Sequence, residues 1–153
     1  MSNNKLIIYN NLIKLTRNKI LYVNLDQNET FSDRLVFLFF HFGFFLKFYK
    51  KELSKNHSQN LFDFFIKQIE LSIREIGYGD VSVNKKMKEY VNLFYSIIDK
   101  IETWENLDIR SKGIILGDFL NISKESQFYV DYFEKYTKYL RKNTLNQFTK
   151  DIL

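Results

Sequence analysis

Ser72-Ile73-Arg74-Glu75-Ile76-Gly77-Tyr78-Gly79-Asp80-Val81-Ser82-Val83-Asn84-Lys85-Lys86-Met87 joins two long amphipathic segments. Glycine lacks a Cβ and reaches positive φ at little cost, so two glycines one residue apart can end one helix and redirect the chain. Arg74 and Glu75 fall in the last turn before Gly77, and Asp80 and Ser82 both start helices well. The stretch predicts a corner between two helices. Arg74 and Asp80 are near enough in sequence to pair across it.

Outward from the corner, apolar residues recur at helical spacing. Leu61, Phe62, Phe65, Ile69, Ile73 and Ile76 predict a helix over about 58–76. Val83, Met87, Tyr90, Val91, Phe94, Ile98, Ile101 and Trp104 predict one over about 82–104, the strongest such pattern in the chain. Upstream, Thr30-x-x-Asp33 is close to a capping box and opens a helix expected to reach about Leu53. There Leu35, Leu38, Phe39, Phe42, Phe45, Leu46 and Tyr49 form a stripe, and Phe37, Phe40 and Phe44 carry the apolar surface almost all round. A helix of that kind is normally central. Its most apolar run, Leu35 to Leu46, is well short of the about 20 residues needed to cross a bilayer. It reads as a core helix, with contact to a membrane surface as the lesser reading.

A first helix over about 3–17 is expected to turn Leu6, Tyr9, Leu12, Ile13 and Leu15 inward. A polar connection over 18–29 follows, with a turn of helix near Ile20-Leu21-Tyr22. After a break at 105–108 come a short helix over about 109–120, weakened by Gly113 and Gly117, and a long helix capped by Ser123 and ending near Lys142. The long helix should bury Phe128 or Tyr129, Tyr132, Phe133, Tyr136, Tyr139 and Leu140. A further turn or two can follow Asn143. With no proline, few glycines and no period-two alternation, the chain reads as all-α: a single-domain bundle of about six helices over residues 1–153.

At 153 residues, 45% of them hydrophobic, one domain can bury roughly two-thirds of its unfolded surface. Absent cysteine excludes disulfides, thiolate catalysis and cysteine-ligated metals. The net charge of +5 favours acidic partners, although most of the lysines read as a solvated surface. Met1-Ser2-Asn3-Asn4-Lys5 passes directly into an amphipathic pattern, with neither a secretory signal nor a transit peptide visible before it. The expected location is the bacterial cytoplasm, including the inner-membrane surface, or the mitochondrial matrix for a processed eukaryotic form.

The search for an active site is nearly empty. His41 and His57 have no metal-binding spacing, Gly77-x-Gly79 follows no strand, and no phosphate loop or nucleophile elbow is present. Carboxylate pairs such as Asp63 with Glu70, or Glu102 with Glu105, are routine on helix surfaces. No catalytic residue, metal or cofactor is assigned, and the chain is not expected to be an enzyme. His41, inside the most apolar helix, reads as a neutral core imidazole bonded to a neighbouring side chain or carbonyl. Lys85, Lys86 and Lys88 sit early in the predicted fourth helix, where cations oppose the dipole. That placement points toward a partner, against the plainer reading of a solvated lysine face. Tyr132, Lys135, Tyr136, Lys138, Tyr139, Arg141 and Lys142 mix rings and cations as RNA-binding surfaces do, but the tyrosines fall on a core stripe.

The corner resembles the signature of the ubiquinol–cytochrome c chaperone family, whose members typically read leucine-arginine-glutamate-methionine-glycine-valine-glycine-aspartate, a small residue, valine and a basic pair. Arg74, Glu75, Gly77, Gly79, Asp80, Ser82, Val83, Lys85 and Lys86 match it. Leu61-Phe62-Asp63, Phe94-Tyr95, and Asp33-Arg34 followed by His41 match further blocks, so the likeness covers about residues 20–105. Departures are Tyr78 for the usual valine, Ser96-Ile97 for glycine-arginine, and Ser32-Asp33 for aspartate-glycine.

The resemblance implies a non-enzymatic assembly factor that binds nascent or newly inserted cytochrome b and supports its entry into respiratory complex III. The ribosome is a further implied contact; peripheral contact with a membrane surface is the lesser reading of the apolar run, and no DNA contact is expected. The resemblance marks Arg74, Glu75, Asp80, Lys85, Lys86 and Tyr95 as partner-binding candidates, to which Tyr78 and Lys88 are added by their place beside them, with Gly77 and Gly79 as turn residues. A haem-containing client also makes haem ligation the sharper reading of His41. The alternative to the chaperone reading is a basic helical ribosome- or RNA-binding module.

Overall fold

The computed structural model describes residues 2–25, 30–122 and 126–151. Seven α-helices occur among them: α1 Ser2–Thr16, α2 Phe31–Tyr49, α3 Lys55–Ile76, α4 Asp80–Ile101, α5 Ile109–Phe119, α6 Ser126–Lys142 and α7 Leu145–Asp151. Single 3-10 turns occupy Lys19–Leu21 and Trp104–Asn106. The all-α expectation holds, with the tail beyond Asn143 supplying the seventh helix. The Ser123 cap lies outside the described residues.

The helix α2 is the axis of the bundle. Thr30 caps it through the full reciprocal box with Asp33, each bond 3.1 Å long. Every residue from Leu35 to Phe45 is buried. The phenylalanines fan out to different neighbours, which is why the helix needs no polar face. Phe37 meets Tyr129 and Phe40 meets Phe133, both on α6. Phe42 lies between Phe65 of α3 and Phe94 of α4. Phe45 meets Phe148 of α7. Gly43 lets α4 approach closely: a Cβ there would stand 3.0 Å from Ile101 Cδ1.

Three expectations need correction. First, α4 ends at Ile101, not near Trp104. The Lys47 ammonium reaches the carbonyls of Ile101 (2.8 Å) and Glu102, meeting acceptors that a helix end leaves open. Trp104 then packs from a 3-10 turn, its ring edge-on to Phe44 and its N–H donating to Glu134 at 3.0 Å. Ile97 on α4 is fully buried, whereas Ile98 is only partly so. Second, Leu6 faces solvent. The inward side of α1 carries Ile8 and Leu12, and the Asn11 amide donates to the Phe148 carbonyl at 3.0 Å. The arrival of α7 therefore sets the rotation of α1. Third, α3 starts at Lys55 because Ser54 caps it by accepting from the His57 N–H, and α2 stops at Tyr49 rather than near Leu53.

Candidate functional site

The corner between α3 and α4 is built by one glycine. Gly77 has φ of +110°, in the left-handed region, and its N–H donates to the Arg74 carbonyl at 3.0 Å. Gly79 has φ of −76° and ψ of 168°, extended backbone open to any residue, with empty space where its Cβ would be. The expectation of two conformationally required glycines is thus corrected to one. Gly79 is the N-cap of α4, and Ser82 lies inside the helix instead of starting it. Gly77→Val is expected to cost about 1–3 kcal/mol, whereas Gly79→Ser, at an extended N-cap position that serine also fills well, should cost under about 0.5 kcal/mol. Urea titrations measure both; equal losses at the two positions would overturn the assignment.

Arg74 spans the turn and meets Asp80 at 2.5 Å, while its Nε lies 3.6 Å from Glu70. The hydrogen bond that Arg74 donates to Asp80 is the main cause of a further rise in the already high guanidinium pKa. Both residues are exposed, so the pair adds little stability and chiefly fixes the bend. Around it the surface is open and part apolar: Val81 is 85% exposed, Ile76 56% and Tyr78 41%. Lys86 lies alongside the helix with its ammonium 4.9 Å from the Tyr78 ring centroid, within cation–π range.

Lys85 and Lys88 point to solvent on the same side of α4 as Val81, Asn92 and Tyr95. Because α4 begins at Asp80, these lysines lie beyond its first turn, where the dipole has largely faded. Their exposure, and not the helix dipole, is what leaves them available to a partner.

Tyr95 is fifteen residues along α4 from Asp80, roughly 22 Å at 1.5 Å per residue. It is not gathered into the corner. Its ring stacks on Phe62 at 5.8 Å and 15°, and Phe62 stacks on buried Phe94 at 5.7 Å. A column of rings thus runs from the core to the surface at Tyr95. Glu75 turns the other way and lines a groove against α1, which periodicity alone did not reveal.

His41 is fully buried. Its Nδ1 donates to the Phe37 carbonyl at 2.6 Å, and its Nε2 accepts from the Tyr132 hydroxyl at 2.7 Å. Tyr136 in turn donates to the His41 carbonyl at 2.8 Å. The tyrosines of α6 are thus engaged in packing. An axial haem ligand needs a free nitrogen lone pair with room beyond it, and both ring nitrogens here are in use. The geometry gives the haem reading no support. No group of three or more potential metal ligands occurs among the described residues.

The Ubiquinol-cytochrome C chaperone family matches residues 24–103, just over half of the chain. The chain belongs to that family. The match spans α2, α3 and α4, and contains the whole corner. A crystal structure of the Cbp3 homolog from Brucella abortus has a similar fold, with a TM-score of 0.78 at 20% identity. The superposition covers 99% of this chain and 88% of that one, so the likeness of fold extends over α1 and α5 to α7, beyond the family match. Curated protein sequences provide no match. Among the described residues of this chaperone-family chain, no helix is long and apolar enough to cross a membrane.

Proposed function

We propose that this chain acts as one helical domain, a non-enzymatic chaperone that holds newly made cytochrome b during assembly of the ubiquinol–cytochrome c reductase complex. The observation that carries this reading is what the signature corner exposes. Helix connections commonly lie on the surface; this one places the apolar Tyr78 and Val81 beside Lys85 and Lys88 in solvent, on a bend fixed by Gly77 and the Arg74–Asp80 pair. Apolar tips among cations suit a client that brings both apolar and acidic surface. The same lysines suit contact with the ribosome or with the cytoplasmic face of an inner membrane.

Deleting the gene and measuring assembled reductase complex tests the reading; unchanged assembly would sink it. A finer test is the triple variant Lys85→Glu, Lys86→Glu, Lys88→Glu. Its helicity should match the parent, and its capture of cytochrome b should fall about tenfold or more, about 1.4 kcal/mol. Undiminished capture would remove these lysines from the site. Recovery of ribosomal RNA alone, with affinity falling steeply with salt, would favour the RNA-binding alternative instead.

A further inference from the structure

A groove of about 640 Å³ lies between α1, the start of α2 and the last turns of α3. Ile13, Leu35, Leu38, Ile69 and Ile76 line it with aliphatic surface. Among the described residues that line it, Lys14 and Arg17 place two cations on the α1 rim against Glu75 on α3, and Arg34 lies over the Phe31 ring. The charge of Arg17 reaches the groove, where it partly offsets the upward push that burial gives the Tyr9 phenol. The volume falls in the range of binding pockets and is far larger than a packing defect.

We propose that this groove binds an amphipathic helical segment of a protein partner, with apolar residues on one side and carboxylates on its flanks. A concave aliphatic floor receives side chains recurring at helical spacing, and the cationic rim pairs with acids beside them. Single-stranded nucleic acid needs accessible flat rings for stacking, and a bilayer surface needs a projecting apolar face. Among the described residues, the two rings that line the groove are half-buried and already packed, Tyr9 against Phe64 and Phe65, and Phe31 against Tyr90 and the Arg34 guanidinium; no apolar face projects from it. The site is separate from the solvent face of α4, and its occupant need not be cytochrome b.

Two synthetic helical peptides test the proposal. Both carry leucine at i, i+3, i+4 and i+7; one has glutamate at the other positions and its counterpart has lysine. The glutamate peptide should bind and shift the methyl resonances of Ile13, Ile69 and Ile76, while its lysine counterpart should bind at least tenfold more weakly. Lys14→Glu with Arg17→Glu, both exposed positions, should weaken the glutamate peptide about tenfold or more. Ile76→Asp, at a 56% exposed position, should do the same. The α4 lysine-reversal variant should bind normally, which keeps this test separate from the chaperone reading. No binding, equal binding of both peptides, or resonance shifts confined to other surfaces would overturn the proposal. So would groove shifts produced by anionic vesicles or by single-stranded RNA but not by the glutamate peptide.

Discussion

Phe42→Ala is expected to lower stability by about 3–5 kcal/mol, read as a fall in Tm of roughly 6–20 °C for a chain of this size. Phe42 is 1% exposed and is the joint of three helices. Its ring lies 3.8 Å from Phe65 at an interplanar angle of 6°, and 5.2 Å from Phe94 at 14°. Truncation loses the burial of the ring and opens a cavity that three packed helices cannot easily close. It also loses two aromatic contacts worth about 0.5–1.5 kcal/mol each beyond burial. Tyr95, at the outer end of the same column of rings, is 54% exposed and rests on one face only. Tyr95→Ala should cost under about 1 kcal/mol. A Phe42→Ala loss below about 1.5 kcal/mol in chemical denaturation would mean that the stack is not the structural joint described here.

What the sequence made legible was local. The capping box at Thr30, the periodicity of α3 and α4, and the bend at Gly77 are each settled within a few residues. What it hid was decided by distant partners. The apolar period of α4 runs on to Trp104, and only Lys47, from another helix, shows where the helix stops. The apolar pairs Leu6-Ile7 and Leu12-Ile13 allow two rotations of α1; the Asn11 bond to Phe148 selects the one that exposes Leu6. Gly77 and Gly79 look alike on paper because neither has a Cβ, and only the backbone angles separate them.

The candidate site was legible as a motif and less so as a surface. Its residues divide between the corner, the solvent side of α4, and the wall of the groove. The basic residues Lys14 and Arg17 beside an apolar stripe were the one sequence signal of that groove. It could not be read before α1, α2 and α3 were placed together.

Between pH 7 and pH 4 the protein should lose about 3 kcal/mol of stability that a His41→Gln variant keeps. Burial is the main cause lowering the His41 pKa from its ordinary 6.5 to about 4, and the hydrogen bond to the Phe37 carbonyl opposes it only in part. The groups facing the ring cannot compensate, because burial pushes the Tyr132 and Tyr136 phenols upward and keeps both neutral. As pH falls through 6.5 the unfolded chain takes up a proton that the folded protein accepts only near 4. The unfolded state is therefore favoured progressively across that window. His41 contributes no such loss above it and the full loss below, and the span from 6.5 to about 4 converts to about 3 kcal/mol. Surface carboxylates add their own acid dependence, so the diagnostic quantity is the difference between parent and variant. Glutamine preserves a donor for Phe37 and an acceptor for Tyr132 without taking a charge. Urea titrations at pH 7, 5.5 and 4 should show the parent falling more steeply. Parallel slopes would mean that the imidazole is protonated in the folded state without penalty. Nε2–H would then donate to the Tyr132 hydroxyl oxygen instead of accepting from it, and burial would not be what keeps the ring neutral.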